Sequence, residues 1–393
     1  MSESENARFT EIHTDSAEAY HAYLKGRYFW NKRTAESMER SVGFFREALE
    51  RDPRFALAYS GLADAYALLT EYHALPAKET YPKALAAVTR ALEIDGALAE
   101  AHISLAYVRH FYEWSWEAAE REFRQGLALN PSYATGHQWY AEYLSALGRH
   151  DEALAQIRRA QGVDPLSLIV NAVEAQILYM AGRYEEAIEK CRKVIDMDPN
   201  FPEVYEYLKR AYDQTGAYRE AIAARQTRRR LLGSPFAETP ALRRAAAATT
   251  SREYWTARLE QEEIEAVTEG VYPFEMAEIL AQSGDHASAL TWLERACKEA
   301  DFLTVWSQPL AMVHSRLTVA TDTPVAAAVS SSVRPPKNRS STIRAASGSS
   351  ASSFVSARSR SSASTASTPS AAGAIDSSRP TRVLPPPRLP RCS

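Results

Sequence analysis

Hydrophobic positions along this chain recur at two nested spacings. Within each apolar segment they fall at i, i+3, i+4 and i+7, as in Tyr59, Leu62, Ala63 and Tyr66, or Tyr205, Leu208 and Tyr212. That spacing lays one apolar stripe along one face of an α-helix. On a longer scale the segments themselves repeat. Asp-Pro or a near variant closes them at Asp52-Pro53, Asp95-Gly96, Asn130-Pro131, Asp164-Pro165 and Asp198-Pro199. From Pro131 to Pro165 is 34 residues, and from Pro165 to Pro199 is 34 again. Alignment on these positions brings further columns into register. Five before stand Ala48, Ala91, Gly126, Ala160 and Val194; eight before, Phe45, Val88, Phe123, Ile157 and Cys191. Twelve before stand Ser41, Ala84, Ala119, Ala153 and Ala187. The columns predict helix pairs that hide their apolar sides only against neighbouring pairs, since a lone hairpin cannot bury its own.

Local signals mark the turns. Gly148, Gly182 and Gly216 fall between the helices of a pair, where a left-handed residue ends the first helix without a Cβ penalty. Small residues such as Ala153 and Ala187 let the second helix approach closely. Proline then stops that helix or opens the next one, where its missing N–H costs nothing.

This pattern resembles the tetratricopeptide repeat family, most closely through LGRHDEALAQIRRAQGVDP (147–165) and AGRYEEAIEKCRKVIDMDP (181–199). The resemblance implies an all-α fold: a right-handed α-solenoid of stacked antiparallel helix pairs. A linker is expected at 1–17, and six units over 18–235, at roughly 20–55, 56–98, 99–133, 134–167, 168–201 and 202–235. A non-repeat helical spacer is expected at 236–269 and a seventh repeat-like unit at 270–303, with Gly284, Ala289, Leu293 and Ala296 in register. The first unit holds about three extra residues at its turn, and the second carries EYHALPAKETYPK between its helices. Insertions of this kind lie on one face of a solenoid and are tolerated. The opening AYHAYLKGRYFWNKRTAESMERSVGFFREALERDP also resembles the repeat region of bacterial signalling proteins. In those, the repeats follow a winged-helix, serine/threonine kinase or cyclase domain, none of which stands in this sequence. The resemblance therefore implies, as the alternative function, the regulatory half of such a protein.

Charge divides the chain. Of 46 basic and 49 acidic residues, eleven and two fall in 311–393, so the tail carries +9 and the remaining 35 and 47 leave the body at −12. An acidic body argues against nucleic acid as a partner, because that affinity comes from neutralising phosphates. Residues 304–393 are rich in Ser, Ala, Arg and Pro and lack helical period; Phe354 is the only aromatic from 311 onward. Such a segment is expected to be disordered. Its abrupt onset reads as a frame-shifted or otherwise unselected extension. No apolar run approaches the ~18 residues that span a bilayer, and the polar start is unlike a secretory signal, so the expected location is cytoplasmic.

Catalytic chemistry is hard to place. The three cysteines, Cys191, Cys297 and Cys392, form neither a zinc motif nor a disulfide framework. Phosphate-loop, GxGxxG, HExxH and GxSxG motifs are absent. No cofactor, metal or enzymatic activity is expected. His102 and His137 take the bulky first-helix position of their units, and Cys191 an interior column, so packing accounts for all three. Arg225, Arg228, Arg229 and Arg230 end a helix, where positive charge meets the negative end of its dipole. The aromatics Tyr107, Phe111, Tyr112, Trp114 and Trp116 suit the space between helices, with a ligand-stacking role for one of them as the alternative.

The family resemblance implies a binding face as well. First helices line the concave side and grip an extended or helical peptide. Here that lining comprises Tyr107 and Phe111 with Ile103 and His110, then Gln138 and Glu142, Gln176 and Tyr179, and Glu206 and Arg210. Some family members clamp a C-terminal carboxylate with Lys and Asn at such positions. Here Ser60/Asp64, Ile103/Tyr107 and Gln138/Glu142 stand instead, and acidic groups repel a carboxylate. The expected function is a protein-interaction scaffold for a peptide or protein partner, with self-association left open.

Overall fold

The computed structural model describes residues 14–72, 75–234, 238–269 and 273–299, so the expected tail and most of the N-terminal linker lie outside the described residues. Among the described residues there are sixteen helices and no strand. The first six hairpins are α1 (Ala17–Asn31) with α2 (Ala35–Arg51), α3 (Ala56–Glu71) with α4 (Ala77–Ile94), α5 (Ala99–Phe111) with α6 (Trp116–Leu129), α7 (Ala134–Ala146) with α8 (His150–Val163), α9 (Leu168–Met180) with α10 (Tyr184–Met197), and α11 (Pro202–Thr215) with α12 (Tyr218–Leu231). Two further hairpins follow, α13 (Pro240–Ala247) with α14 (Ser251–Glu269) and α15 (Pro273–Ser283) with α16 (His286–Glu299). Hairpins stack in sequence order. From α1 to α11 the first helices also touch one another, so they form a continuous inner layer. The chain is an all-α solenoid.

Each recurrent sequence signal has a local cause. The Asp/Asn column makes Asx turns: Asp52 Oδ1 accepts from the Arg54 N–H at 2.9 Å, Asp95 Oδ1 from Ala97 at 2.9 Å, Asn130 Oδ1 from Ser132 at 3.1 Å and Asp198 Oδ1 from Asn200 at 2.8 Å. The side chain thus supplies the hydrogen bond that the ending helix no longer provides. At the turn inside a pair, Gly148, Gly182 and Gly216 take φ of 75°, 75° and 77°. The residue after each closes a six-to-one bond, Arg149 N–H to the Leu144 carbonyl and Arg183 N–H to Leu178 both at 2.9 Å, and Ala217 N–H to Tyr212 at 3.1 Å.

A second polar column ties each first helix to the preceding loop. Six residues after the Pro/Gly column stand His102, His137, Asn171 and Tyr205, and each faces the carbonyl of that column residue. The distances are 3.1 Å to Gly96, 2.8 Å to Pro131, 3.0 Å to Pro165 and 2.8 Å to Pro199. His102 also holds Glu122 through Nδ1 at 2.6 Å, and His137 holds Gln156 at 2.7 Å. The two histidines are structural pins.

All fifteen residues of the three packing columns are buried. Phe45 shows how tight the fit is. Its ring lies in a notch between Gly26 of α1 and Gly61 of α3, where an added Cβ at either glycine would come within 2.6 Å of the ring. Truncating so enclosed a ring costs about 3–5 kcal/mol. The column continues past the sixth hairpin through a separate core, where the Tyr218 and Tyr254 rings stack at 4.2 Å and Leu242 and Trp255 are buried.

Candidate functional site

The inner layer of first helices carries the candidate residues. Eleven residues after the Pro/Gly column stand Asp64, Tyr107, Glu142, Gln176 and Arg210, a hydrogen-bonding side chain in five consecutive hairpins. Packing columns on the second helices stay small or apolar over the same stretch. Four of the five, Asp64, Tyr107, Gln176 and Arg210, are buried.

The structure brings the candidates together in three groups. Tyr107 and Phe111 lie with ring centroids 4.3 Å apart, and Tyr107 sits equally close to Trp139 of α7. The Tyr107 hydroxyl donates to Glu71 Oε2 at 3.0 Å. In the next hairpin Gln138, buried, hydrogen-bonds the half-buried Glu142. In the sixth, Glu206 accepts from Lys209 Nζ at 3.0 Å and from Arg210 Nε at 2.8 Å, while Arg210 Nη1 reaches Glu278 of α15 at 3.2 Å. These cations hold the Glu206 carboxyl well below its ordinary range despite burial. Gln176 and Tyr179 are buried between these groups, with the Tyr179 ring 5.7 Å from Tyr184.

Burial acts differently on the carboxylates nearer the middle. It pushes Glu71 up to about 7 and Glu142 up to about 8; each is also repelled by a neighbouring glutamate, and Arg33 offsets only part of this. Glu203 of α11 rises for the same reason, with Arg228 and Arg33 opposing. Arg33 therefore lies within electrostatic reach of acids from the second, fourth and sixth hairpins. Sequence reasoning missed Arg33, Glu71 and Glu203. The available signal was irregularity: Arg33 falls in the enlarged first turn and Glu71 opens the insertion of the second unit.

The positions where a carboxylate clamp would stand are already engaged. Ser104 Oγ donates to Asp64 Oδ1 at 2.5 Å, Ser60 and Ser104 hydroxyls lie 3.0 Å apart, and Arg27 Nη1 meets Asp64 Oδ2 at 3.2 Å. Buried to 1% exposure, Asp64 is pushed up to about 6.

Other sequence readings resolve as follows. Trp116 packs on His110 at 4.7 Å and on Tyr143 at 5.9 Å, and Tyr112 stacks on Tyr81 at 5.1 Å, so these aromatics fill the space between helices. His110 has neither ring nitrogen hydrogen-bonded among the described residues, and burial pushes it down to about 3. The basic run of α12 does not serve chiefly as a dipole partner. Arg225 makes a two-armed pair with Glu265 of α14 at 3.0 and 2.5 Å, Arg229 reaches Glu265 at 3.3 Å, and Arg228 lies 3.8 Å from Glu206. An open cleft of about 690 Å³ lies elsewhere, between Arg124 and Leu127 of α6 and Gln156 and Arg159 of α8. Among the described residues no three His, Cys, Asp or Glu side chains converge as they would to hold a metal ion. Among the same residues no helix is long and apolar enough to cross a membrane.

Fold and inner face define a helical-repeat solenoid. One tetratricopeptide-repeat family model matches residues 115–167 and again 141–202, and a second of the same description matches 178–227. The chain carries tetratricopeptide repeats from α6 into α12. No curated protein matches it. Solved structures similar to it include TTC0263, a thermophilic TPR protein in Thermus thermophilus, at 17% identity over 49% of this chain and 98% of that one, with a TM-score of 0.41. YrrB, described as a TPR protein with an unusual peptide-binding site, is 21% identical over 52% of this chain and 97% of its own, with a TM-score of 0.30. Yeast Tom70 is 16% identical over 81% of this chain and 68% of its own, with a TM-score of 0.44.

Proposed function

We propose that this chain is a cytoplasmic, non-catalytic scaffold that holds a peptide segment of a partner protein against the inner layer of first helices. The observation that carries this reading is the polar column Tyr107, Glu142, Gln176 and Arg210, one side chain from each of four consecutive hairpins. An extended or helical segment laid along that layer meets one hydrogen-bonding group per repeat, which confers register as well as affinity. Tyr107, Phe111, Gln138, Glu142, Gln176, Tyr179, Glu206 and Arg210 line the proposed path. The hairpins from α1 to α12 and the α15–α16 hairpin form the scaffold, and α13 and α14 bridge the two.

A random peptide library panned against the full-length chain tests this. Enriched peptides are expected to weaken roughly tenfold or more when Glu142→Gln or Gln176→Ala is introduced, changes that remove a groove contact with little change in packing volume at position 142. Absence of any enriched peptide, or binding indifferent to both substitutions, refutes the groove.

A further inference from the structure

Both departures from the 34-residue period point into the same place. Trp30 lies in the last turn of α1, the enlarged first turn after it carries Arg33, and Glu71 ends α3 where the lengthened second hairpin begins, within electrostatic reach of Arg33. Trp30 is 1% exposed and its ring stands 6.2 Å from that of Trp139, in the fourth hairpin. Two guanidiniums lie against the indole, Arg27 at 4.2 Å and Arg33 at 3.7 Å. Arg33 is 3% exposed and has φ of 55°, a left-handed conformation that is strained for a non-glycine residue.

The turn is held, yet held poorly. The Arg33 Nε and the Trp30 indole N–H are buried and meet no hydrogen-bond acceptor among the described residues. Buried donors are ordinarily satisfied, and a guanidinium among carboxylates ordinarily makes a two-armed contact with one of them. Arg33 acts on Glu71, Glu142 and Glu203 through charge, while Tyr107 donates a hydrogen bond to Glu71 and Gln138 to Glu142. The second cation near them, Arg228, stands 4.0 Å from Glu203. Three carboxylates thus face one tethered guanidinium and part of another. The site suits a cation beside an aromatic ring, and the Nε of the chain's own cation makes no hydrogen bond there among the described residues.

We propose that the Trp30–Arg33 turn is a built-in occupant of the groove, and that the partner segment carries an arginine next to an aromatic residue and displaces it. This rests on the groove reading above and names the partner's chemistry. An incoming arginine is free to orient and can form the two-armed contact with Glu71 or Glu142 that the left-handed backbone denies to Arg33. A tethered competitor acts at an effective concentration near millimolar, so the unoccupied groove binds more tightly than the occupied one.

The test uses a fluorescent ten-residue peptide with the sequence of residues 26–35, GRYFWNKRTA, added to the full-length chain. Binding is compared between the unsubstituted chain, Arg33→Gly and Arg33→Asn. Glycine and asparagine both accept a left-handed backbone, and circular dichroism confirms that each variant folds. The peptide is expected to bind both variants roughly tenfold or more tightly than the unsubstituted chain. Replacing its second arginine by citrulline, or adding Glu142→Gln to the variant, is expected to cost roughly tenfold again. Equal affinity for the unsubstituted chain and the variants, still lost with Glu142→Gln, overturns the built-in occupant and leaves the groove standing. Indifference to citrulline overturns the arginine requirement and with it the proposal. Failure to bind any form also overturns it, and the random library, which presupposes no arginine, then shows whether the groove reading falls too.

Discussion

Trp30 of the first hairpin meets Trp139 of the fourth, their rings at 64° with centroids 6.2 Å apart. In a simple stack each repeat touches only its neighbours, and stability is a sum of nearest-neighbour contributions. This contact skips two hairpins and couples the start of the solenoid to its middle.

Truncation at that contact has a defined consequence. Trp30→Ala is expected to destabilise the chain by about 3–5 kcal/mol, and Trp139→Ala by a similar amount. The double variant is expected to lose less than the sum, with a coupling of about 0.5–1.5 kcal/mol for the ring pair. Urea denaturation of the two single variants and the double one supplies the cycle. Strict additivity shows that the rings do not meet in solution.

Stability is expected to fall as the medium becomes alkaline. Glu71 and Glu142, ordinarily near 4.5, are pushed up to about 7 and about 8, so the folded chain keeps protons that the unfolded chain has released. Their contribution is fully present below about pH 4.5 and is lost as pH rises through 7 to 8. Melting temperature measured from pH 6 to pH 8.5 should decline, and Glu142→Gln should flatten the decline. An unchanged slope in that variant means Glu142 ionises freely.

Arg225→Ala isolates a buried pair. It removes the two-armed partner of Glu265 and leaves that carboxylate, with the buried Glu262 beside it, short of a cation. A loss of about 3–5 kcal/mol is expected, against little or no loss for breaking an exposed pair such as Arg183–Glu186 by Arg183→Ala. Chemical denaturation of both variants makes the comparison; equal small losses exclude a structural role for the pair.

Cys191 is expected to be inert in the folded state. It has no exposed surface, and burial pushes its thiol up to about 12. Iodoacetamide treatment followed by peptide mass spectrometry should find Cys191 unmodified until urea is added. Rapid native labelling at this position contradicts the packing described.

Helix pairs, their order and their turns were readable from the chain because each depends on contacts inside one repeat or between adjacent ones. The Asx column at Asp52, Asp95, Asn130 and Asp198, the left-handed glycines and the buried columns through Phe45, Phe123 and Cys191 all lie within a 34-residue horizon. Pairings within one first helix, Gln138 with Glu142 and Glu206 with Arg210, follow from helical spacing. Only the tertiary structure decided that Trp30 reaches Trp139, that Arg33 lies within electrostatic reach of Glu71, Glu142 and Glu203, and that Arg225 belongs to Glu265 rather than to its own helix end. The first two contacts arise from a small rotation at every hairpin summed over several of them, a sum that no local pattern of residues encodes. The third joins α12 to α14, outside the 34-residue period.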